Sequence, residues 1–186
     1  VGTARTLEDQ SAPDRITRRK QSAAFHVATS GRRARSLPRH GCGPQRREEP
    51  IMPEISIQNP DALGKPLGQY SQITRVKASE LLFIAGQVAT DRSGKLVGAD
   101  DFDAQCRQVF ANIEAALKSQ GASFANVVEF TTYLVHSQDI AKFMAYRLRE
   151  FPRLFANAVY PPNTLLIVDR LVQEPFLIEV QTIAAL

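Results

Sequence analysis

Cysteine is nearly missing: the 186 residues hold two, Cys42 and Cys106, far apart and in unlike surroundings. A disulfide framework is thereby excluded, and no zinc-binding spacing is present. No apolar run approaches the length needed to span a bilayer, and no secretory signal is apparent, so a soluble protein in a reducing, cytoplasmic setting is expected, with no membrane partner. A charge of one sign is also missing once the chain is divided. The formal net charge is +4, but residues 1–50 carry 11 Lys and Arg against 5 Asp and Glu, which leaves 12 against 14 in residues 51–186. The basic character belongs to the first fifty residues. The rest, at net −2, gives no electrostatic case for nucleic acid.

Large apolar residues are scarce at the start as well. Val1, Leu7, Ile16, Phe25, Val27 and Leu37 are the ones before Pro50, and they follow neither a helical nor a strand period. Such a segment cannot offset an ordering entropy of roughly 1–2 kcal/mol per residue. Three readings compete for it. The clusters Arg18-Arg19-Lys20, Arg32-Arg33-Ala34-Arg35 and Arg46-Arg47 suit a basic arm for nucleic acid or membrane. A mitochondrial transit peptide would also be rich in Arg and Ser, but Glu8, Asp9 and Asp14 sit where such peptides avoid acids. The third reading is an over-extended reading frame, since the first methionine is Met52, where ordered patterning begins. The expected organisation is a disordered or mis-assigned extension over 1–51 and one folded domain over 52–186. His40 and Cys42 fall in the extension and are expected to be inert.

What is present from Ile73 onward is regular patterning. Ile73 to Lys77 and Leu81 to Ala85 are β-prone runs joined by Ala78-Ser79-Glu80, which predicts a hairpin. After the turn Asp91-Arg92-Ser93-Gly94, Asp100 or Asp101 can cap a helix. Phe102, Cys106, Val109, Phe110, Ile113, Ala116 and Leu117 recur along it at three- and four-residue spacing, and Gly121 stops it. Cys106 lies on that stripe and reads as a core thiol. Val127 to Val135 predicts a strand with Val128, Phe130, Thr132 and Leu134 on one face. A second helix is expected from about Gln138 to Phe151, with Ile140, Phe143, Met144, Leu148 and Phe151 inward and Pro152 at or just past its end. Strands Thr164 to Asp169 and Phe176 to Ala184 complete the order ββ-α-β-α-ββ. That order predicts an α+β fold, a mixed sheet with both helices on one face. The other sheet face then needs a cover, which a domain of this size would obtain by oligomerising.

The last strand carries the polar residues that core packing does not explain. Alternation sends Phe176, Ile178 and Val180 to the helix-covered side, and Leu177, Glu179, Gln181 and Ile183 to the other. Glu179 is then either an ordinary solvent-facing residue or, at an interface, a partly buried carboxylate with a raised pKa that can hold a water or exchange a proton. Gly68-Gln69-Tyr70-Ser71-Gln72 and Ala85-Gly86-Gln87-Val88 are small and polar segments at strand edges, where glycine lets a backbone approach a ligand. Tyr160-Pro161-Pro162-Asn163-Thr164 enters a strand in extended form. His136 reads as the end of a strand, with no catalytic role.

Together these segments resemble the RidA/YjgF family of small trimeric proteins. The resemblance runs from about Glu54 to Leu186. It rests on Gly68-x-Tyr70-Ser71-Gln72, Gly86-Gln87-Val88, Gln105-x-Arg107-Gln108-x-x-x-Asn112-Ile113, Gly121-Ala122-Ser123 with Val127-Val128, and Ile178-Glu179-Val180-Gln181-Thr182-Ile183-Ala184. It implies a chorismate-mutase-like fold and a homotrimer with clefts between subunits. It also implies a hydrolase that converts reactive enamines and imines to ketoacids and ammonia without metal or other cofactor. By position, Glu179 would match the glutamate that places the attacking water, Tyr70 would line the cleft, and Gly86 with nearby backbone would complete its wall. Ala85, Asn163 and Thr164 would complete the substrate-binding set. Two departures mark an arginine-lacking branch: Asn163 stands where the family's deaminases have the arginine that clamps a substrate carboxylate, and Ala85 where they tend to have serine. Asparagine supplies no charge, so the exchange is not conservative. Arg170 from across an interface is the other candidate cation. The alternative reading is a non-catalytic trimer that binds metabolites or acts as a chaperone-like scaffold. Nucleic-acid or ribosome interaction, an activity sometimes attached to the family, would depend on the basic extension.

Overall fold

Isoleucine alternates with polar residues in Glu54-Ile55-Ser56-Ile57-Gln58, and this short run forms a strand that the sequence pattern alone did not predict. The computed structural model describes residues 52–186, and the expectations for the earlier segment, His40, Cys42 and the arginine clusters included, lie outside the described residues. Strand β1 (Glu54–Gln58) pairs antiparallel with β2 (Ile73–Lys77), Ile55 opposite Val76 and Ile57 opposite Thr74. The apolar partners share the half-buried side, and Glu54, Ser56, Arg75 and Lys77 face solvent.

Here the expected hairpin is corrected. No ladder joins β2 to β3 (Leu81–Gln87), because β3 pairs antiparallel with β6 (Ile178–Ala185) in a separate sheet of order β3-β6-β4-β5. The turn between β2 and β3 is held instead by the last residue. The amides of Ser79 and Glu80 donate to the Leu186 carbonyl at 2.9 and 3.0 Å, and the Leu186 amide donates to Glu80 at 3.0 Å. Strand β4 (Val127–Leu134) runs antiparallel to β6 and parallel to β5 (Asn163–Ile167), so the sheet is mixed.

Helix α1 (Phe102–Ser119) starts at Asp101, whose carboxylate accepts from the Ala104 amide at 3.0 Å and satisfies one of the free N–H groups of the first turn. Helix α2 (Asp139–Leu154) continues through Pro152 rather than ending before it. Both helices lie on the sheet face that presents Phe130, Thr132, Ile178 and Val180, all at most 1% exposed. Phe110 of α1 and Phe151 of α2 meet Phe130 at centroid distances of 5.9 and 6.3 Å, and each other at 5.3 Å. Cys106 is buried in this core, and desolvation pushes its thiol far above the usual range, as befits an unreactive core thiol. One inward assignment is corrected: Leu148 is 67% exposed, whereas Tyr146 and Arg147 are buried on the stripe with Phe143 and Phe151.

Two polar side chains of α1 act as struts. Gln105, fully buried, donates to the carbonyls of Gly98 and Pro175 at 3.1 and 2.8 Å and accepts from the Leu177 amide at 2.8 Å. Asn112 donates to the carbonyls of Val88 and Thr90 at 3.1 and 2.9 Å. They tie the helix to the segment leaving β3 and to the approach to β6, the two strands that carry Gly86 and Glu179.

Candidate active site

Strand alternation places Glu179 on the face of the sheet away from the helices, directly opposite Tyr133 of β4. It is half-buried there, and among the described residues no side chain donates to its carboxyl. Desolvation alone raises its pKa above the ordinary glutamate value. The neighbouring strand makes room for it. The β3–β6 register shifts between Ile84 and Gln87, a bulge that spans Ala85 and Gly86. A Cβ on Gly86 would come within 2.6 Å of the Glu179 carboxyl carbon and closer still to Oε1. Glycine is therefore required if the carboxyl is to lie across the bulge. Ala85 is exposed on this same open face.

Asn163 lies elsewhere. In the parallel β4–β5 pair it sits beside Phe130, on the helix-covered side, and its Oδ1 accepts from the Thr132 hydroxyl at 2.8 Å. Thr164, next along β5, pairs with Thr131 and shares the face of Glu179. Tyr70 belongs to the loop after β1. Its hydroxyl accepts from the Leu67 amide at 3.2 Å, and the loop is stitched by Gln72, whose amide donates to Asn59 Oδ1 at 2.9 Å and whose side chain donates to the Gly64 carbonyl at 3.1 Å. Tyr70 and Tyr160 line a cavity of about 780 Å³ with Asn59, Asp61, Lys65 and Ala158. Asn157 and Ala158 adopt left-handed backbone at φ 58° and 52°, strained for residues with a Cβ, on the way from α2 to Tyr160.

Within one chain, then, the expected residues fall in three places. Glu179, Gly86, Ala85 and Thr164 share the open face, while Asn163 is turned to the opposite side and Tyr70 lines a separate cavity. Glu179 and Asn163 cannot act on one small molecule inside a single copy.

Sequence reasoning missed Arg147. It is 1% exposed, with its guanidinium carbon 5.4 and 4.8 Å from the ring centres of Phe143 and Phe151. Nε and Nη2 have no hydrogen-bond partner. Desolvation lowers its pKa to about 10, against the opposing influence of Tyr70 and Tyr160, so it stays charged at neutral pH. The signal was in the sequence, since Arg147 is four residues from both Phe143 and Phe151 and interrupts an otherwise apolar stripe. Arg170 is exposed and paired with Glu174 at 2.9 Å. His136 is exposed just after β4. Among the described residues no group of His, Cys, Asp and Glu could hold a metal ion.

Known proteins resemble this chain along the described segment. The family model described as Endoribonuclease L-PSP matches residues 60–186. A RutC family protein of Pyrococcus horikoshii is 38% identical over 121 residues, which cover 64% of this chain and 89% of the relative. Among solved structures, a protein of unknown function of the conserved Rid family from Yersinia pestis aligns with a TM-score of 0.64 at 31% identity, covering 71% of this chain and 98% of its own. RidA from an Antarctic Psychrobacter aligns at 0.51 and 28% identity, covering 70% and 98%. With this fold, these motifs and these relatives, the chain belongs to the RidA/YjgF family, known also by the names Rid and RutC.

Proposed function

We propose that this protein is a small-molecule hydrolase acting on reactive enamines and imines, or on a related small carbonyl compound, in a cleft completed by a second copy of the chain. The observation that carries the reading is Glu179: a half-buried carboxyl with a raised pKa, no charged partner, and a glycine-lined bulge against it. Such a group holds a water and takes its proton as the oxygen attacks the carbon of a C=N bond. The proton then passes to nitrogen to give a carbinolamine, whose hydroxyl proton follows to the same nitrogen as the C–N bond breaks, and ammonia leaves with a carbonyl product. No cofactor is needed for this balance.

The separation of Glu179 from Asn163 and Tyr70 favours assembly, because a neighbouring copy can bring the second group to the first. The open sheet face also exposes apolar side chains that a monomer gains nothing by exposing, Phe83 at 72% and Leu166 at 40%. A homotrimer, as the family resemblance implies, would cover them. The name of the matching family model includes a ribonuclease, but residues 51–186 carry net −2 and lend that reading no support. The non-catalytic alternative draws on Asn163, a neutral side chain already engaged with Thr132.

The deciding experiment generates imines from several amino acids with an oxidase and follows their decay. Acceleration by the wild type and its loss in Glu179→Ala are expected. Full activity in Glu179→Ala would sink the mechanism. If the wild type accelerates nothing and Asn163→Arg gains activity on iminopropionate, the non-catalytic reading is correct.

A further inference from the structure

We infer that the group recognised beside the reacting carbon is an uncharged carboxamide, bound by Gln181 with Thr131 and Thr164. The inference rests on the hydrolase reading for the reaction and adds the class of substrate. The three residues form one row across the open face: Gln181 of β6 stands opposite Thr131 of β4, and Thr131 stands opposite Thr164 of β5. Glu179 and Tyr133 form the next row, two residues and about 7 Å along the strands, on the same face because strand side chains alternate. Gln181 and Thr164 are exposed and Thr131 is half-buried. Among the described residues none of these three side chains makes a hydrogen bond. Thr132 and Asn163, next to them on the helix-covered side, bond each other at 2.8 Å. The same open face carries the exposed apolar side chains Phe83 and Leu166. A second copy that covers those also takes Gln181 and the two hydroxyls out of water, and polar groups left unpaired there are costly. A ligand in the shared cleft supplies their partners.

The kind of ligand follows from the donors and acceptors in the row. The Gln181 amide both donates and accepts, and each threonine hydroxyl can do either. A carboxamide matches that set with its own carbonyl and NH2, and two amides pair through two hydrogen bonds. A carboxylate would only accept, and its charge would face the carboxyl groups of Glu179 and Glu129 on the same face. An ammonium would only donate and would leave the NH2 of Gln181 without an acceptor. Asn163, the amide of the expected substrate-binding set, is turned to the helices and engaged with Thr132, so Gln181 takes the recognition role on the open face. The preferred substrate is therefore the imine or enamine of a 2-oxoamide, with its reacting carbon toward Glu179 and its amide toward Gln181. Gln181 and the threonines bind and orient this molecule and exchange no proton with it.

The test measures binding of pyruvamide and pyruvate, a neutral and an anionic compound of nearly one shape, to the full chain by calorimetry. Alongside it, the decay of their imines is followed, generated from alaninamide and alanine. Pyruvamide is expected to bind about tenfold more tightly than pyruvate. Gln181→Met keeps the shape and loses the hydrogen bonds, and should weaken pyruvamide about tenfold. Thr131→Val should weaken it less, and Gln181→Glu, which removes the NH2 and adds a charge, should weaken it more. Glu179→Gln is expected to lose turnover, keep pyruvamide and bind pyruvate better, since one facing charge is gone. Pyruvate binding as tightly as pyruvamide, no binding of pyruvamide, or binding to Gln181→Met within about twofold of wild type overturns the inference. Should the variants fail to fold, the wild-type preference between the two ligands still decides. A preference that depends on Gln181, with neither imine accelerated, would remove the hydrolase reading alone. Acceleration that treats both imines alike and survives Gln181→Met would remove the amide subsite alone.

Discussion

An alanine at position 86 would carry its methyl group to 2.6 Å from the carboxyl carbon of Glu179, well inside the contact distance of two carbons. The obstructed atoms are the far end of a flexible side chain, so Glu179 can swing aside and the fold survives. Gly86→Ala is therefore expected to melt close to wild type while its imine hydrolysis falls about a hundredfold, the scale of a displaced reacting group. Equal activity in the two proteins would separate Glu179 from the chemistry. The raised pKa of Glu179 has a second consequence. The folded protein holds this proton more tightly than the unfolded chain does, so the stability it contributes is complete below the ordinary glutamate range and is lost as pH rises through the folded value. Glu179→Gln should match wild-type melting in acid and exceed it at neutral pH. Turnover by wild type should rise with pH through a value above that of a free glutamate, because the carboxylate is the form that accepts the proton of water.

At the scale of elements, polar struts decide where the site strands sit. Gln105 pairs with three backbone groups that would otherwise be stranded, one of them the Leu177 amide just before β6. Gln105→Leu should cost about 3 kcal/mol of unfolding free energy in denaturant titrations, by leaving buried groups unsatisfied. A loss below about 0.5 kcal/mol would mean that water takes over its bonds. Helix periods were legible in sequence because the apolar spacing of Phe102 to Leu117 survives unchanged into the core. The hairpin between β2 and β3 was misread for an opposite reason. Adjacent β-prone runs joined by three residues look alike whether or not they pair, and here distant partners, β1 and β6, take their hydrogen bonds. On α2 the stripe was read by hydrophobicity, which put Leu148 inside and overlooked Arg147. The four-residue spacing to Phe143 and Phe151 was the better guide.

For the whole molecule the open sheet face is the deciding surface. Phe83 faces Ile183 across the β3–β6 ladder and is 72% exposed in one copy. Phe83→Glu would place a charge in an apolar contact between copies. It should shift the proposed trimer to smaller species in sedimentation and remove the proposed imine hydrolysis, with the fold of each subunit kept by circular dichroism. A wild type that sediments as a monomer would remove both the trimer and the shared cleft. Residues 52–186 are proposed to be the complete functional unit. Deleting residues 1–51 should therefore leave the oligomer and the melting temperature unchanged, and a loss of either would give the extension a structural role.

The sequence by itself determined the order of the two helices and of the strands from β2 onward, the buried stripe of α1, the family, and the face of Glu179, since all of these follow from local periodicity and from motifs that keep their spacing. Tertiary structure alone decided strand partners, the turning of Asn163 away from Glu179, the close fit of the carboxyl over Gly86, and the isolation of Arg147. Each depends on which distant backbone or side chain arrives within a few ångströms. That is a property of register and packing, which no local pattern encodes.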